Sequence, residues 1–115
     1  EFRRVLFRSR VLKFLKKIKI LYLYMDRWSF CDEGIIGLGR ELSNLPLLSE
    51  LRINLNKCPL ITDKGASELI KYVSTLKDIK KLFVNMKNCK NILDQNLSQL
   101  SYTAKDASPE PNETL

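Results

Sequence analysis

The apolar positions along this chain change period partway through a unit and then start again. Leu42, Leu45, Leu48, Leu51, Ile53 and Leu55 form the pattern LxxLxxLxLxL. Val73, Leu76, Ile79, Leu82, Val84 and Met86 repeat it 31 residues later, and Leu12, Leu15, Ile18, Leu21, Leu23 and Met25 carry it 30 residues earlier. Apolar spacing of three or four marks one helical face, and strict alternation marks a strand with one buried side. Each unit is therefore predicted to be a helix followed by a short strand.

A second shared signature follows the alternating segment. Ile61, Asp63, Gly65 and Leu69 match Phe30, Asp32, Gly34 and Leu38, while the third copy has Ile92, Asp94 and Leu100 with Asn96 in place of the glycine. In the middle copy, Thr62 or Asp63 can cap the unpaired amides of a helix start. Ala66, Leu69, Ile70, Val73 and Leu76 then fall on one face of that helix. Gly65 is expected to keep the tight turn from strand into helix free of a side chain.

Alternation also predicts a second surface. Leu51, Ile53 and Leu55 point to one side of their strand, and Arg52 and Asn54 to the other. A lone helix–strand unit cannot cover its apolar face, so the copies are expected to stack with their strands in a parallel sheet. Stacking aligns Tyr22, Arg52 and Phe83 in one exposed row and Tyr24, Asn54 and Asn85 in the next. Aromatic, arginine and asparagine side chains on a rigid sheet suit a protein-binding surface. An ordinary solvated sheet face is the other reading of the same six residues.

The repeat resembles leucine-rich repeats of the ribonuclease-inhibitor-like and cysteine-containing kinds. "LRINLNKCPLITDKGASEL" at residues 51–69 carries the likeness most fully: "CPLITD" is similar to the cysteine-containing class, and "ITDKG" leading into a helix is similar to the inhibitor-like class. The resemblance covers residues 12–100 in three copies. The first copy departs by a loop one residue shorter and by lacking a cysteine aligned with Cys58, and the last by losing its glycine. It implies an α/β right-handed solenoid with parallel strands on the concave face and helices on the convex face. Two and a half to three copies lie near the lower limit for a stable array, so the chain is expected to be marginal alone and a fragment of a longer one.

Composition changes the picture at the two ends. The 115 residues carry 20 basic and 13 acidic side chains, a net charge of +7, which raises nucleic acid or an anionic membrane surface as partners. The opening "EFRRVLFRS" supplies part of that excess; without residues 1–9 the chain has 17 basic and 12 acidic residues, net +5. The repeat register calls for Asp at position 2, Gly at 4 and Leu at 8, where the chain has Phe2, Arg4 and Arg8. Back-translated as GAG TTC AGA CGT GTG CTC TTC CGA TCT, the nonapeptide resembles a common sequencing adapter. Residues 1–9 are therefore expected to be a non-native leader, with a genuine basic arm or degenerate capping helix as the alternative. At the other end, residues 103–115 are polar with two prolines and no apolar stripe, and are expected to be a disordered tail.

The remaining chemistry is sparse. There is no histidine, which removes the usual Cys/His zinc spacings, His acid–base catalysis and Ser/Cys–His pairs. Neither a catalytic residue nor a metal or cofactor is expected. Cys58 and Cys89 are equivalent positions one copy apart. They are expected to be buried thiols bonded to loop backbone; neighbouring strands ~4.8 Å apart also permit a disulfide, which an intracellular setting opposes. Asp32, Asp63 and Asp94 read as helix caps. Lys13, Lys16, Lys17, Lys19, Lys77, Lys80, Lys81, Lys87 and Lys90 form a repeated basic decoration, read as solvated helix ends or as an electrostatic patch. They lack a base-stacking aromatic motif, which argues against nucleic acid. No run approaches the ~20 apolar residues of a spanning helix.

The expected function is protein–protein recognition through the strand face by a chain that catalyses no reaction, located in the cytoplasm or the nucleus. Two alternatives follow from the resemblance. The full protein would regulate a small GTPase or another enzyme, or would recognise substrates for a ubiquitin ligase.

Overall fold

The computed structural model describes residues 16–104. The expected leader, Leu12, Lys13 and Leu15 of the first copy, and the tail from residue 105 onward lie outside the described residues. In chain order the elements are strand β1 (Ile20–Tyr24), helix α1 (Asp32–Leu42), strand β2 (Glu50–Asn54), helix α2 (Asp63–Val73), strand β3 (Lys81–Asn85), a three-residue 3-10 turn (Gln95–Leu97) and strand β4 (Gln99–Thr103). The described residues thus make a mixed α/β fold, a four-stranded open sheet in the order β1-β2-β3-β4 with two helices.

Alternation produces the strands. In β2 and β3, Leu51, Ile53, Leu82 and Val84 are buried and the residues between them are half-buried. Leu42, Leu45, Leu48, Leu51, Ile53 and Leu55, the whole apolar pattern of the middle copy, are buried in one cluster that runs from Leu23 and Met25 to Met86 and Ile92. Each such leucine or isoleucine contributes about 1.5–3 kcal/mol by leaving water. The helices complete the cluster with Ile35, Leu38 and Leu42 from α1 and Ala66, Leu69 and Val73 from α2. Of the apolar face expected in the middle copy, Ile70 is half-buried and Leu76 is buried just beyond the end of α2.

The loop after each parallel strand turns at one left-handed residue: Arg27 (φ 67°), Lys57 (φ 60°) and Asn88 (φ 62°), spaced as the repeat is. Backbone bonds run on from the sheet into these loops, from Arg27 N–H to the Asn56 carbonyl (2.8 Å) and from Lys57 N–H to the Lys87 carbonyl (3.0 Å). Side chains continue the ladder: Asp26 Oδ1 accepts from Asn56 N–H (3.0 Å), and Asn56 Oδ1 from Lys87 N–H (3.1 Å).

The aspartates correct the expectation that they cap their own helices. Thr62 is the cap of α2, its hydroxyl accepting from Lys64 N–H at 3.3 Å, while Cys31 at the start of α1 makes no side-chain cap bond. Asp32 and Asp63 reach instead to the next copy. Asp32 accepts from Thr62 N–H at 2.8 Å and from the Thr62 hydroxyl, and Asp63 accepts from Leu93 N–H (2.8 Å) and Asp94 N–H (3.2 Å). Only Asp94 bonds within its own turn, to Asn96 N–H at 3.0 Å.

Gly65 is corrected in the same way. A Cβ there would stand 2.2 Å from Asp32 Oδ1 and 3.1 Å from its Cα, so the glycine makes room for the preceding copy's aspartate rather than only easing a turn. Gly39 serves the contact between α1 and α2, where a Cβ would lie 3.2 Å from Leu69 Cδ1 and 3.3 Å from Tyr72.

The third copy departs from the expected all-parallel sheet. β1, β2 and β3 pair in parallel, but β4 pairs antiparallel with β3. No eleven-residue helix follows Asp94; the chain makes the 3-10 turn and reverses, so that Met86 N–H donates to Ser98 O and Ala104 N–H to Lys80 O, both at 2.7 Å. Asn96 stands where a glycine would nest under Asp63, and beyond Leu97 and Leu100 there is no apolar stripe to hold a helix on the core.

Candidate functional site on the strand face

Sheet register brings the six expected face residues together. Tyr22, Arg52 and Phe83 are direct partners across β1, β2 and β3, as are Tyr24, Asn54 and Asn85. Because β4 pairs with β3, Ser101 joins the first row beside Phe83 and Gln99 joins the second beside Asn85. A third row, Ile20, Glu50, Lys81 and Thr103, lies at the strand starts. These last two contributions were missed from sequence. The same alternation points to Glu50 and Lys81 as face residues, one step before Arg52 and Phe83, although the sequence marks Lys81 only as part of the basic decoration. Ser101 and Gln99 had no signal, because a polar strand reversing its direction breaks the repeat.

The first row is held as a stack. The Arg52 guanidinium carbon lies 5.3 Å from the ring centroid of Tyr22 and 5.3 Å from that of Phe83. A cation over an aromatic face is attracted by the ring quadrupole, worth about 0.5–2 kcal/mol per pair as desolvation increases. The Tyr22 hydroxyl donates to Glu50 Oε2 and so ties the first row to the third. Arginine is thereby held half-buried between two rings, while Tyr22 and Tyr24 remain 42% and 57% exposed. With Ile20 at 57%, β1 presents the most apolar edge of the face. The amide row is partly committed: Asn85 Oδ1 accepts from Lys87 N–H at 3.1 Å.

The other candidate residues lie away from this face. Cys58 and Cys89 are buried free thiols, donating to the carbonyls of Met25 (3.4 Å) and Leu55 (3.1 Å) respectively. Each thiol thus bonds to the loop of the preceding copy. Burial, reinforced by the neighbouring Cys89, pushes the Cys58 thiol up to about 11, and burial raises Cys89 as well. Both stay neutral at physiological pH. Cys31 is exposed. Trp28 and Phe30 stack at 5.6 Å in the loop after β1. Among the described residues, no group of three or more His, Cys, Asp or Glu could hold a metal ion, and no helix is long and apolar enough to cross a membrane.

Comparisons with protein-family models, curated proteins and solved structures return no match to this chain.

Proposed function

We propose that this chain is a stretch of leucine-rich-repeat solenoid that binds a partner protein through its strand face and catalyses no reaction. The repeat reading is supported by three parallel strands in register at offsets of 30 and 31 residues, and by an aspartate latch and a thiol bond that each recur from one copy to the next. The observation that carries the binding reading is the Tyr22–Arg52–Phe83 stack. Holding an arginine between two rings removes side-chain freedom before a partner arrives, so less ordering is left for the complex to offset. Rigid aromatic and arginine groups of this kind dominate measured interface energies.

Affinity capture from cell extract with the wild-type chain, Arg52→Glu, Phe83→Ala and the helix-surface control Lys71→Glu tests the reading. The bound set should be lost with the two face variants and kept with the control. Capture of the same set by Arg52→Glu and Phe83→Ala as by wild type would refute a role for this face.

A further inference from the structure

The backbone ladder begins one residue before the strands. The Lys19 carbonyl accepts from Ser49 N–H (2.8 Å) and Glu50 N–H (3.0 Å), and the Ser49 carbonyl accepts from Lys80 N–H (2.7 Å) and Lys81 N–H (3.1 Å). Lys19, Ser49 and Lys80 therefore stand side by side along the rim where the strands start. Lys19, Lys77 and Lys80 are all exposed and border an open hollow of about 440 Å³, which Leu47, Ser49, Asp78 and Ile79 also line. Leu47 is 45% exposed and Ile79 half-buried. The Ser49 hydroxyl is already committed to the Lys19 carbonyl (3.1 Å), and among the described residues of the lining Asp78 is the one acid beside three lysines. Lys16 and Lys17, three and two residues before Lys19 in the chain, are exposed as well.

This rim differs from the one at the other end of the strands, where Asp26, Asp63 and Asp94 are interspersed with Arg27, Lys57, Lys87 and Lys90. Mixed charge gives little net field, whereas lysines of one sign around a concavity concentrate it. The apolar part of the lining adds a second demand, since a purely anionic ligand would leave Leu47 and Ile79 without a contact.

We propose that the lysine-bordered hollow at the strand-start rim docks an acidic protein segment that carries an aliphatic side chain among its carboxylates, the aliphatic group meeting Leu47 and Ile79 and the carboxylates meeting Lys19, Lys77 and Lys80. The proposal rests on the strand face being a protein-binding surface, because the rim adjoins that face through the Glu50–Lys81 pair. Among the described residues no aromatic side chain lines the hollow, so those residues offer an RNA base nothing to stack on. A concavity fits a peptide better than the flat surface of a bilayer.

The test measures fluorescence anisotropy of a labelled, end-blocked peptide of glutamates with interspersed leucines, added to the full chain at about 0.15 M ionic strength, where charges more than about 8 Å apart are largely screened. Lys19→Glu/Lys77→Glu/Lys80→Glu should weaken binding about tenfold, the sum expected of three exposed ion pairs. The charge-matched control Lys57→Glu/Lys87→Glu/Lys90→Glu should change it by less than about threefold, because those lysines act only through screened distance. Leu47→Ser, which alters no charge, should weaken binding about threefold through lost apolar contact. Circular dichroism checks that each variant remains folded.

The proposal is overturned if the wild-type chain fails to bind the peptide, if the two triple variants weaken it equally, or if Leu47→Ser has no effect. It is also overturned if oligouridylate or phosphatidylserine vesicles bind through the same three lysines more tightly than the peptide does. None of these variants alters Tyr22, Arg52 or Phe83, so the capture experiment on the strand face stands or fails separately.

Discussion

The second and third copies share a strand with buried alternate positions, a buried cysteine bonded to the preceding loop, and a carboxylate latch received from the copy before. They diverge two residues after Asp63 and Asp94. In the second copy Gly65 admits Asp32 against the helix start, and an eleven-residue helix follows. In the third, Asn96 occupies that position, and the chain makes three residues of 3-10 turn before reversing into β4. The latch itself survives, since Asp63 still bonds the amides of Leu93 and Asp94. The comparison teaches that the carboxylate fixes where the next copy's loop lies, whereas the glycine and the apolar stripe behind it decide whether a helix can grow from that loop.

The strongest way to break this account is to give the second copy the third copy's residue. Gly65→Asn should destabilise the chain by about 3 kcal/mol in urea unfolding, at the upper end of overpacking costs, because the new side chain meets backbone as well as carboxylate. A loss below about 1 kcal/mol would show that the contact relaxes freely. The milder Gly65→Ala, combined with Asp32→Ala, should cost less than the two single changes added together, since removing the carboxylate clears the space the methyl needs.

Next in size, Asp32→Ala should cost about 2 kcal/mol by leaving the half-buried Thr62 amide and hydroxyl without their acceptor. Asp63→Ala should cost about half as much, because the amides it serves are exposed and water can replace it. Equal effects in urea titrations would remove the distinction between an interior latch and a terminal one.

The thiols give a smaller and pH-dependent effect. With Cys58 raised from 9.0 to about 11, the unfolded chain ionises this thiol first. The stability its neutral form contributes is complete below pH 9 and declines as pH rises toward 11. Cys58→Ala should therefore show a shallower loss of urea midpoint than wild type between about pH 8 and pH 10.5. In the folded chain, iodoacetamide should modify Cys31 well before Cys58 or Cys89, as mass spectrometry of peptides would reveal.

Smallest of all, Asn96→Gly should alter stability by less than about 1 kcal/mol and leave far-UV circular dichroism unchanged. The glycine would open the space under Asp63, but Leu97 and Leu100 alone do not make an apolar stripe. A clear gain of helical signal would mean that the glycine position governs helix growth without the stripe.

Much of the fold could be read in the sequence because period is a local property. Leu51, Ile53 and Leu55 alternate within five residues, and Ala66, Leu69 and Val73 share a helical face, so strand, helix and buried side follow from short spacings. The face rows were legible for a related reason: once copies stack in register, equivalent positions must align, and Tyr22, Arg52 and Phe83 do. β4 was not legible, because the register places Gln99–Thr103 within a helix, with Leu100 as its one match to the earlier copies. Its pairing is set by the free edge of β3, whose partner residues lie 14 to 22 positions away in sequence.

What the sequence determined by itself was periodicity: where helices and strands lie, which side of each is buried, and which residues of successive strands become neighbours. Tertiary structure alone decided what the shared polar residues do. Asp32 and Gly65 look like parts of two separate helix starts, and only stacking shows one seated in the space left by the other. The stack of Arg52 between Tyr22 and Phe83 and the lysine-bordered hollow likewise exist only once the strands are side by side. Burial pattern is encoded along one segment, but hydrogen bonds, ring stacking and charge clustering are set by distances between segments about thirty residues apart, and those distances are created by packing.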